Sequence, residues 1–163
     1  MTQPYNPQAR GLYRPAYEHD ACGTGFVVSI QGVPSRQIVA WAVGCVCNVT
    51  HRGAVSADAK TGDGAGILTT LPHAMFAKVL KELKASPVAA GDLAVGFFFL
   101  PPKQQDRARA IAETMIKSRH VNLIGWRTVP VDPSAIGAQA QKTLPVIQHA
   151  LLSRPASFPA KEF

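Results

Sequence analysis

Short apolar runs and helix-spaced segments alternate along most of this chain, which limits it to folds that mix helices with sheet. Residues 26–30 are β-branched and aromatic and stop at the Gly32 turn, predicting a strand. Ser35 is placed to cap a helix reaching Asn48, with Ile38, Val39, Ala42, Val43 and Val46 spaced for one apolar face. Residues 50–66 form a long loop dense in Gly, Asp and Thr. A short strand over 67–71 is stopped by Pro72, and an amphipathic helix over 73–84 follows, carrying Met75, Phe76, Val79, Leu80 and Leu83. Leu93–Leu100 reads as a buried strand, residues 104–118 as a helix, 122–131 as extended, and 144–152 as strand or helix. The order β-α-β-α-β-α-β, closed by a segment of either type, fits an α/β or layered α+β domain. Periodicity alone leaves open a doubly wound sheet or stacked sheets.

The 163 residues suit one domain with a real core, and an apolar fraction of 47% with 17% charged residues is globular composition. The apolar runs fall short of the ~18 residues that a membrane helix needs. Residues 1–21 form a polar leader holding Pro4, Pro7 and Pro15, without the apolar stretch of a secretory signal, so the expected location is the cytoplasm. Three cysteines agree, since a disulfide framework favours an even count. Cys45 and Cys47, one residue apart in an apolar stretch, are expected to fill core space, and no metal site is expected. The net charge of +7 raises the question of nucleic acid, but the basic residues are scattered, with nine against four acidic over 101–163. They also lack interleaved aromatics, so neither nucleic acid nor membrane is an expected partner. Residues 154–163 read as a frayed end.

Two clusters carry possible chemistry. Cys22-Gly23-Thr24-Gly25-Phe26 sets a cysteine just before a Gly-X-Gly turn, where backbone amides are free to approach a reacting carbonyl. A thiol needs a base to become the active thiolate. Cleavage between Ala21 and Cys22 would create an α-amine, of ordinary pKa near 8, as that base. Read on composition alone, Cys22 fits a small buried residue better than a nucleophile. The second cluster is Thr50-His51-Arg52-Gly53-Ala54 followed by Lys60-Thr61-Gly62-Asp63-Gly64-Ala65-Gly66. Arg52 offers a planar fork to a carboxylate, and the alternating glycines suit backbone folded tightly on a small ligand. They match neither a P-loop nor a dinucleotide fingerprint, and a solvated turn is the alternative.

Ala16-Tyr17-Glu18-His19-Asp20-Ala21-Cys22-Gly23-Thr24-Gly25-Phe26 resembles the start of bacterial glutamate synthase large subunits, where a short propeptide ends at the catalytic cysteine. Cys47-Asn48-Val49-Thr50-His51-Arg52-Gly53-Ala54, then Lys60-Thr61-Gly62-Asp63-Gly64-Ala65-Gly66-Ile67-Leu68, resemble the family's next two blocks, in the same order. Ala94-Val95-Gly96-Phe97-Phe98-Phe99-Leu100-Pro101 looks like a fourth. The resemblance implies a class II glutamine amidotransferase of the N-terminal-nucleophile type: a four-layer α-β-β-α sandwich, with 1–21 as a propeptide-like leader and 22–163 as the N-terminal portion of the domain. It implies Cys22 as nucleophile on the glutamine side-chain amide, with Arg52, Gly23 and Asp63 binding substrate and His51 structural. It implies ammonia delivered to 2-oxoglutarate in glutamate biosynthesis, with the remaining synthase domains and a small NADPH-binding subunit as partners. FMN and an iron–sulfur cluster are implied for the full-length enzyme, with no cofactor in this chain.

The sequence departs from the family pattern in length, and it contains no Asn-Gly pair, the pair the family uses for its oxyanion hole. Losing one oxyanion donor typically costs about 100- to 1,000-fold in rate. The expectation is a truncated catalytic unit with little glutaminase activity of its own. The alternative is a non-catalytic interaction module that keeps part of the fold.

Overall fold

The computed structural model describes residues 23–50, 55–62 and 64–159. They fall into two units, the first made of residues 23–50, 55, 62 and 64–67 and the second of 56–61 and 68–159.

The second unit is organised by its last strand. Backbone N–H and C=O groups cannot be buried without partners, so a strand is safest in a core when both its edges are bonded. β1 (Leu93–Leu100), β2 (Asn122–Thr128) and β3 (Val146–Ser153) form an antiparallel sheet in the order β1-β3-β2. β3 pairs Leu93 with Ser153 through Leu100 with Val146 on one edge. On the other it pairs Asn122 with Ser153 through Thr128 with Gln148, with a bulge between Leu123 and Gly125. Both outer strands oppose β3, so they run parallel to each other, and the helix α3 (Gln105–Ser118) makes the crossover between them. This is a split β-α-β unit, with the late strand inserted between the two earlier ones.

Strand alternation then assigns the faces. Val95, Phe97 and Phe99 share one face with their partners Leu151, His149 and Ile147. The helix α2 (His73–Glu82) covers that face because Phe76, Val79, Leu80 and Leu83 recur at helical spacing. Phe76, Val79, Leu80, Leu93 and Leu151 make the buried core, with Leu83, Val88, Val95 and Ile124 against it. Leu151 is fully buried. The opposite face receives α3: Trp126 Nε1 donates to Glu113 Oε1 at 2.8 Å, the Arg109 guanidinium lies 5.0 Å over the Trp126 ring, and Phe98 meets Trp126 edge-on. Asp106 in the first turn of α3 and Lys117 in the last suit its dipole. A short helix, α4 (Ala138–Lys142), leads into β3.

His149 is the one ionisable group buried at the centre of the sheet among the described residues. Its ring is 4.7 Å from Phe97 and 5.5 Å from Phe76, and its Nδ1 lies 3.4 Å from Arg127 Nη1. A guanidinium can only donate, so Nδ1 accepts and the ring is neutral. Burial first, and the Arg127 charge second, push the His149 pKa below its ordinary value.

In the first unit Ser35 caps the helix α1 (Arg36–Asn48), its Oγ accepting from Ile38 N at 3.3 Å, as expected. The Thr50 hydroxyl closes the other end by donating to Cys47 O at 2.6 Å. Cys45 is half-buried, but Cys47 is exposed, against the expectation that both fill core. Residues two apart stand on nearly opposite sides of a helix, so they do not share one buried stripe.

Three further expectations, the strands over 26–30 and 67–71 and the frayed end, are corrected. Residues 26–30 and 67–71 form no strand. Phe26, Ile30 and Leu68 are almost wholly exposed, and without a partner strand a β-branched run has no ladder to join. The end of the chain is tied as far as residue 159: Arg154 Nε pairs with Asp92 Oδ1 at 2.7 Å, and its Nη1 donates to Phe158 O. Residues 160–163 lie outside the described residues. Of the expected four layers, the described part holds one small antiparallel sheet in an α+β arrangement, with a helix on each face. No helix among the described residues is long and apolar enough to cross a membrane.

Two outcomes are expected. Leu151→Ala leaves a cavity at the centre and lowers unfolding free energy by about 2–5 kcal/mol in urea titrations. Because the folded pKa of His149 is depressed, its contribution is complete above the unfolded value near 6.5 and is lost as pH falls through the folded one. The urea midpoint therefore drops between pH 7.5 and 5.5, and His149→Gln flattens that slope.

Candidate functional site

The loop carrying the second motif cluster is shaped by a turn. Val55 and Gly62 form an isolated antiparallel bridge, and Ser56 N donates to Thr61 O at 2.7 Å just inside it. Asp58 organises the residues between. Its Oδ1 accepts from Lys60 N at 3.1 Å and Thr61 N at 2.7 Å, and its Oδ2 from the Thr61 hydroxyl at 2.6 Å. The Thr61 hydroxyl, followed by the Thr61 and Lys60 amides, holds the Asp58 carboxyl far below the usual carboxylate range. It is thus ionised at any physiological pH. Ala59 adopts a left-handed φ of 55°, which the tight reversal requires.

The turn is held from outside as well. Ser56 Oγ donates to Gln139 Oε1 at 3.2 Å. Gly137, the residue before α4, approaches so closely that a Cβ there would collide with Thr61 Oγ1 and Asp58 Oδ2 and come within 2.6 Å of Thr61 N. Only glycine fits that approach.

In the first cluster Gly23 is exposed and begins an irregular stretch that runs to residue 29. A Cβ at Gly25 would touch Cys45 Cβ at 3.9 Å, an ordinary contact, so this stretch lies against α1.

Cys22, Arg52 and Asp63 lie outside the described residues, as does His51. What the structure gives for them is the chain on either side. Arg52 stands three residues before Val55, and Asp63 directly follows Gly62. Val55 and Gly62 pair in the isolated bridge described above. Sequence reading took residues 50–66 as a loop and did not single out Asp58. The usable signal was an Asp three residues before a Thr, a pattern by which a side chain knots its own backbone.

Elsewhere in the second unit, an open cleft of about 280 Å³ is lined by His73, Ala74, Ala77, Leu80, Val88, Ala90 and Leu93. This lining holds neither a carboxylate nor a guanidinium to pair with the charged end of an amino acid. Among the described residues no group of three or more His, Cys, Asp or Glu is arranged to hold a metal ion. Cys45 and Cys47 diverge on α1, so these residues do not fit the multi-cysteine ligation of an iron–sulfur cluster.

Comparison with known proteins agrees with the motifs. The profile of the class-II glutamine amidotransferases matches residues 22–163. The chain is 36% identical over 154 residues to the glutamate synthase [NADPH] large chain of Bacillus subtilis, covering 93% of this chain and 10% of that one. It is 40% identical over 153 residues to the glutamate synthase [NADH] of Saccharomyces cerevisiae, covering 90% and 7%. It is 37% identical over 141 residues to the ferredoxin-dependent glutamate synthase 2 of Synechocystis, covering 85% and 9%. The chain thus spans a tenth or less of the length of these relatives.

The close approach at Gly137 makes a direct prediction. Gly137→Ala forces the Asp58–Thr61 turn away from α4 and destabilises the protein by about 1–3 kcal/mol, measured by urea unfolding. A variant as stable as the parent would show that the turn is not seated there.

Proposed function

We propose that this chain, which belongs to the class-II glutamine amidotransferases and resembles the glutamate synthase large chains, carries the cysteine that releases ammonia from glutamine. The observation that carries the reading is where the family match begins: at Cys22, the residue that chemistry singles out as a nucleophile. The match to the Bacillus chain takes in 93% of this chain, more than residues 22–163 contain, so part of the segment before Cys22 is shared as well. This is what a removable leader common to the family would give.

In the processed chain Cys22 is the first residue, and its α-amine takes the thiol proton. The sulfur attacks the side-chain amide carbon of glutamine. The carbon–nitrogen bond breaks as the α-ammonium returns a proton to the departing ammonia, leaving a γ-glutamyl thioester. Water, giving a proton to the same amine, then cleaves the thioester to glutamate and restores the thiol. Gly23 leaves room for the reacting carbonyl, Arg52 lines the glutamine pocket, and Asp63 with its flanking glycines shapes the wall. The complete domain in this reading is the four-layer α-β-β-α sandwich, working in the cytoplasm.

The ammonia would pass to 2-oxoglutarate in the remaining domains of a glutamate synthase. FMN and an iron–sulfur cluster belong to those domains, and no step here passes through them. The relatives' names include NADPH, NADH and ferredoxin, so likeness to them does not fix the electron donor or the need for a small NADPH-binding subunit.

The test is covalent capture with 6-diazo-5-oxo-norleucine, a diazo ketone with the shape of glutamine. The expected result is one adduct, mapped to Cys22, slowed by excess glutamine and absent in Cys22→Ala. A folded protein with no adduct at Cys22 would overturn the proposal and favour an interaction module without catalysis.

A further inference from the structure

Within the second unit, α2 is held to the sheet by side chains alone. It carries three buried ones, Phe76, Val79 and Leu80, and Pro72 before it supplies no side-chain cap. At its far end it closes on itself, with Leu83 N donating to Val79 O and Ala85 N to Leu80 O. Residues 68–72 and 83–92 on either side form neither helix nor strand. The open cleft of about 280 Å³ is lined by Ala74 and Ala77 of α2 together with Val88 and Ala90 beyond it, so the helix is not packed tightly along its whole length. The sheet beneath does not need α2 for its own backbone bonds, because β3 is paired along both edges.

His149 stands where helix and sheet meet. Its ring lies against Phe76 of α2 and Phe97 of β1, with centroids 5.5 and 4.7 Å away, and its Nδ1 accepts from Arg127 Nη1 at 3.4 Å. Arg127 of β2 is the charged group that faces it. β1 carries no ionisable side chain, β3 carries none besides His149, and His73, Lys78, Lys81 and Glu82 of α2 are exposed. A proton on Nδ1 replaces the accepted bond by two facing donors, both charged, where water barely reaches.

We infer that His149 is a proton-operated latch for α2: the neutral ring seats the helix through Phe76, and a proton on the ring releases α2 while the three strands stay paired. The direction of titration agrees, since burial and then the Arg127 charge hold the ring's pKa below its ordinary value. The protonated ring therefore favours any form in which it meets water. Lifting α2 breaks side-chain contacts, whereas parting β1 or β2 from β3 breaks a ladder of backbone bonds. The latch concerns the second unit alone and is independent of the glutamine chemistry.

Amide hydrogen exchange of the full chain, corrected for the intrinsic rate at each pH, tests this. A ten-residue helix does not persist in water once detached, so the α2 amides exchange when it lifts. At pH 7.5 they are expected to be at least about tenfold less protected than those of β3, because release of α2 is easier than loss of the sheet. Between pH 7.5 and 5.5 α2 protection falls by up to about tenfold, the limit set by a histidine of ordinary pKa in the open form. His149→Phe keeps a ring in place without a titratable nitrogen, and His149→Gln keeps a polar one; each flattens that fall, and either suffices where the other does not fold. Equal protection of α2 and β3 at pH 7.5 overturns the inference, since the two then open only together. So does α2 protection that does not move with pH, or a fall that persists in a folded variant.

Discussion

The second unit depends on β3 being bonded along both edges while its face is covered by α2. Unsatisfied backbone groups in a core cost far more than a single contact returns, and here the strand that is most buried is also the one with no free edge. Leu151 sits at that centre, sealed by Phe76, Val79 and Leu80. The cost of the arrangement is topological. β1 and β2 both pair with a strand that comes later in the chain, so the sheet is assembled from contacts distant in sequence.

The local part of this was legible in the sequence. Ser35 marked the start of α1 because a hydroxyl before an apolar period is a chemical stop for a free N–H. Pro72 and the 3–4 spacing of Phe76, Val79, Leu80 and Leu83 marked α2, and Leu93–Leu100 was read to the residue as β1. Residues 144–152 stayed ambiguous because a strand covered by a helix on each face has no polar side to alternate with. Residues 26–30 and 67–71 failed for the opposite reason. Their β-branched composition was right for strands, but propensity does not supply a partner. The insertion of β3 between β1 and β2 had no local signature at all.

The candidate site was legible as chemistry and not as geometry. Cys22, Arg52 and Asp63 stand out as residue types in context, whereas the Asp58 knot over residues 58–61 is a matter of which oxygen meets which amide. Spacing in the sequence hinted at it only through an Asp followed by a Thr three residues on. Gly137 was further from reach, since the need for a missing Cβ arises from a turn almost eighty residues earlier. The first unit adds a physical observation of its own. Phe26, Val28, Ile30, Val39, Trp41 and Val43 are substantially exposed in a chain that spans a tenth or less of its relatives.

The central claim is that Cys22 becomes an N-terminal residue whose own amine activates its sulfur. N-terminal sequencing of the mature protein, with intact mass as a check, measures that directly. The account predicts a first residue of cysteine followed by Gly-Thr-Gly-Phe, with residues 1–21 gone, and an uncleaved chain when Cys22 is replaced by Ala. A mature, folded protein that still begins ahead of Cys22 would contradict it.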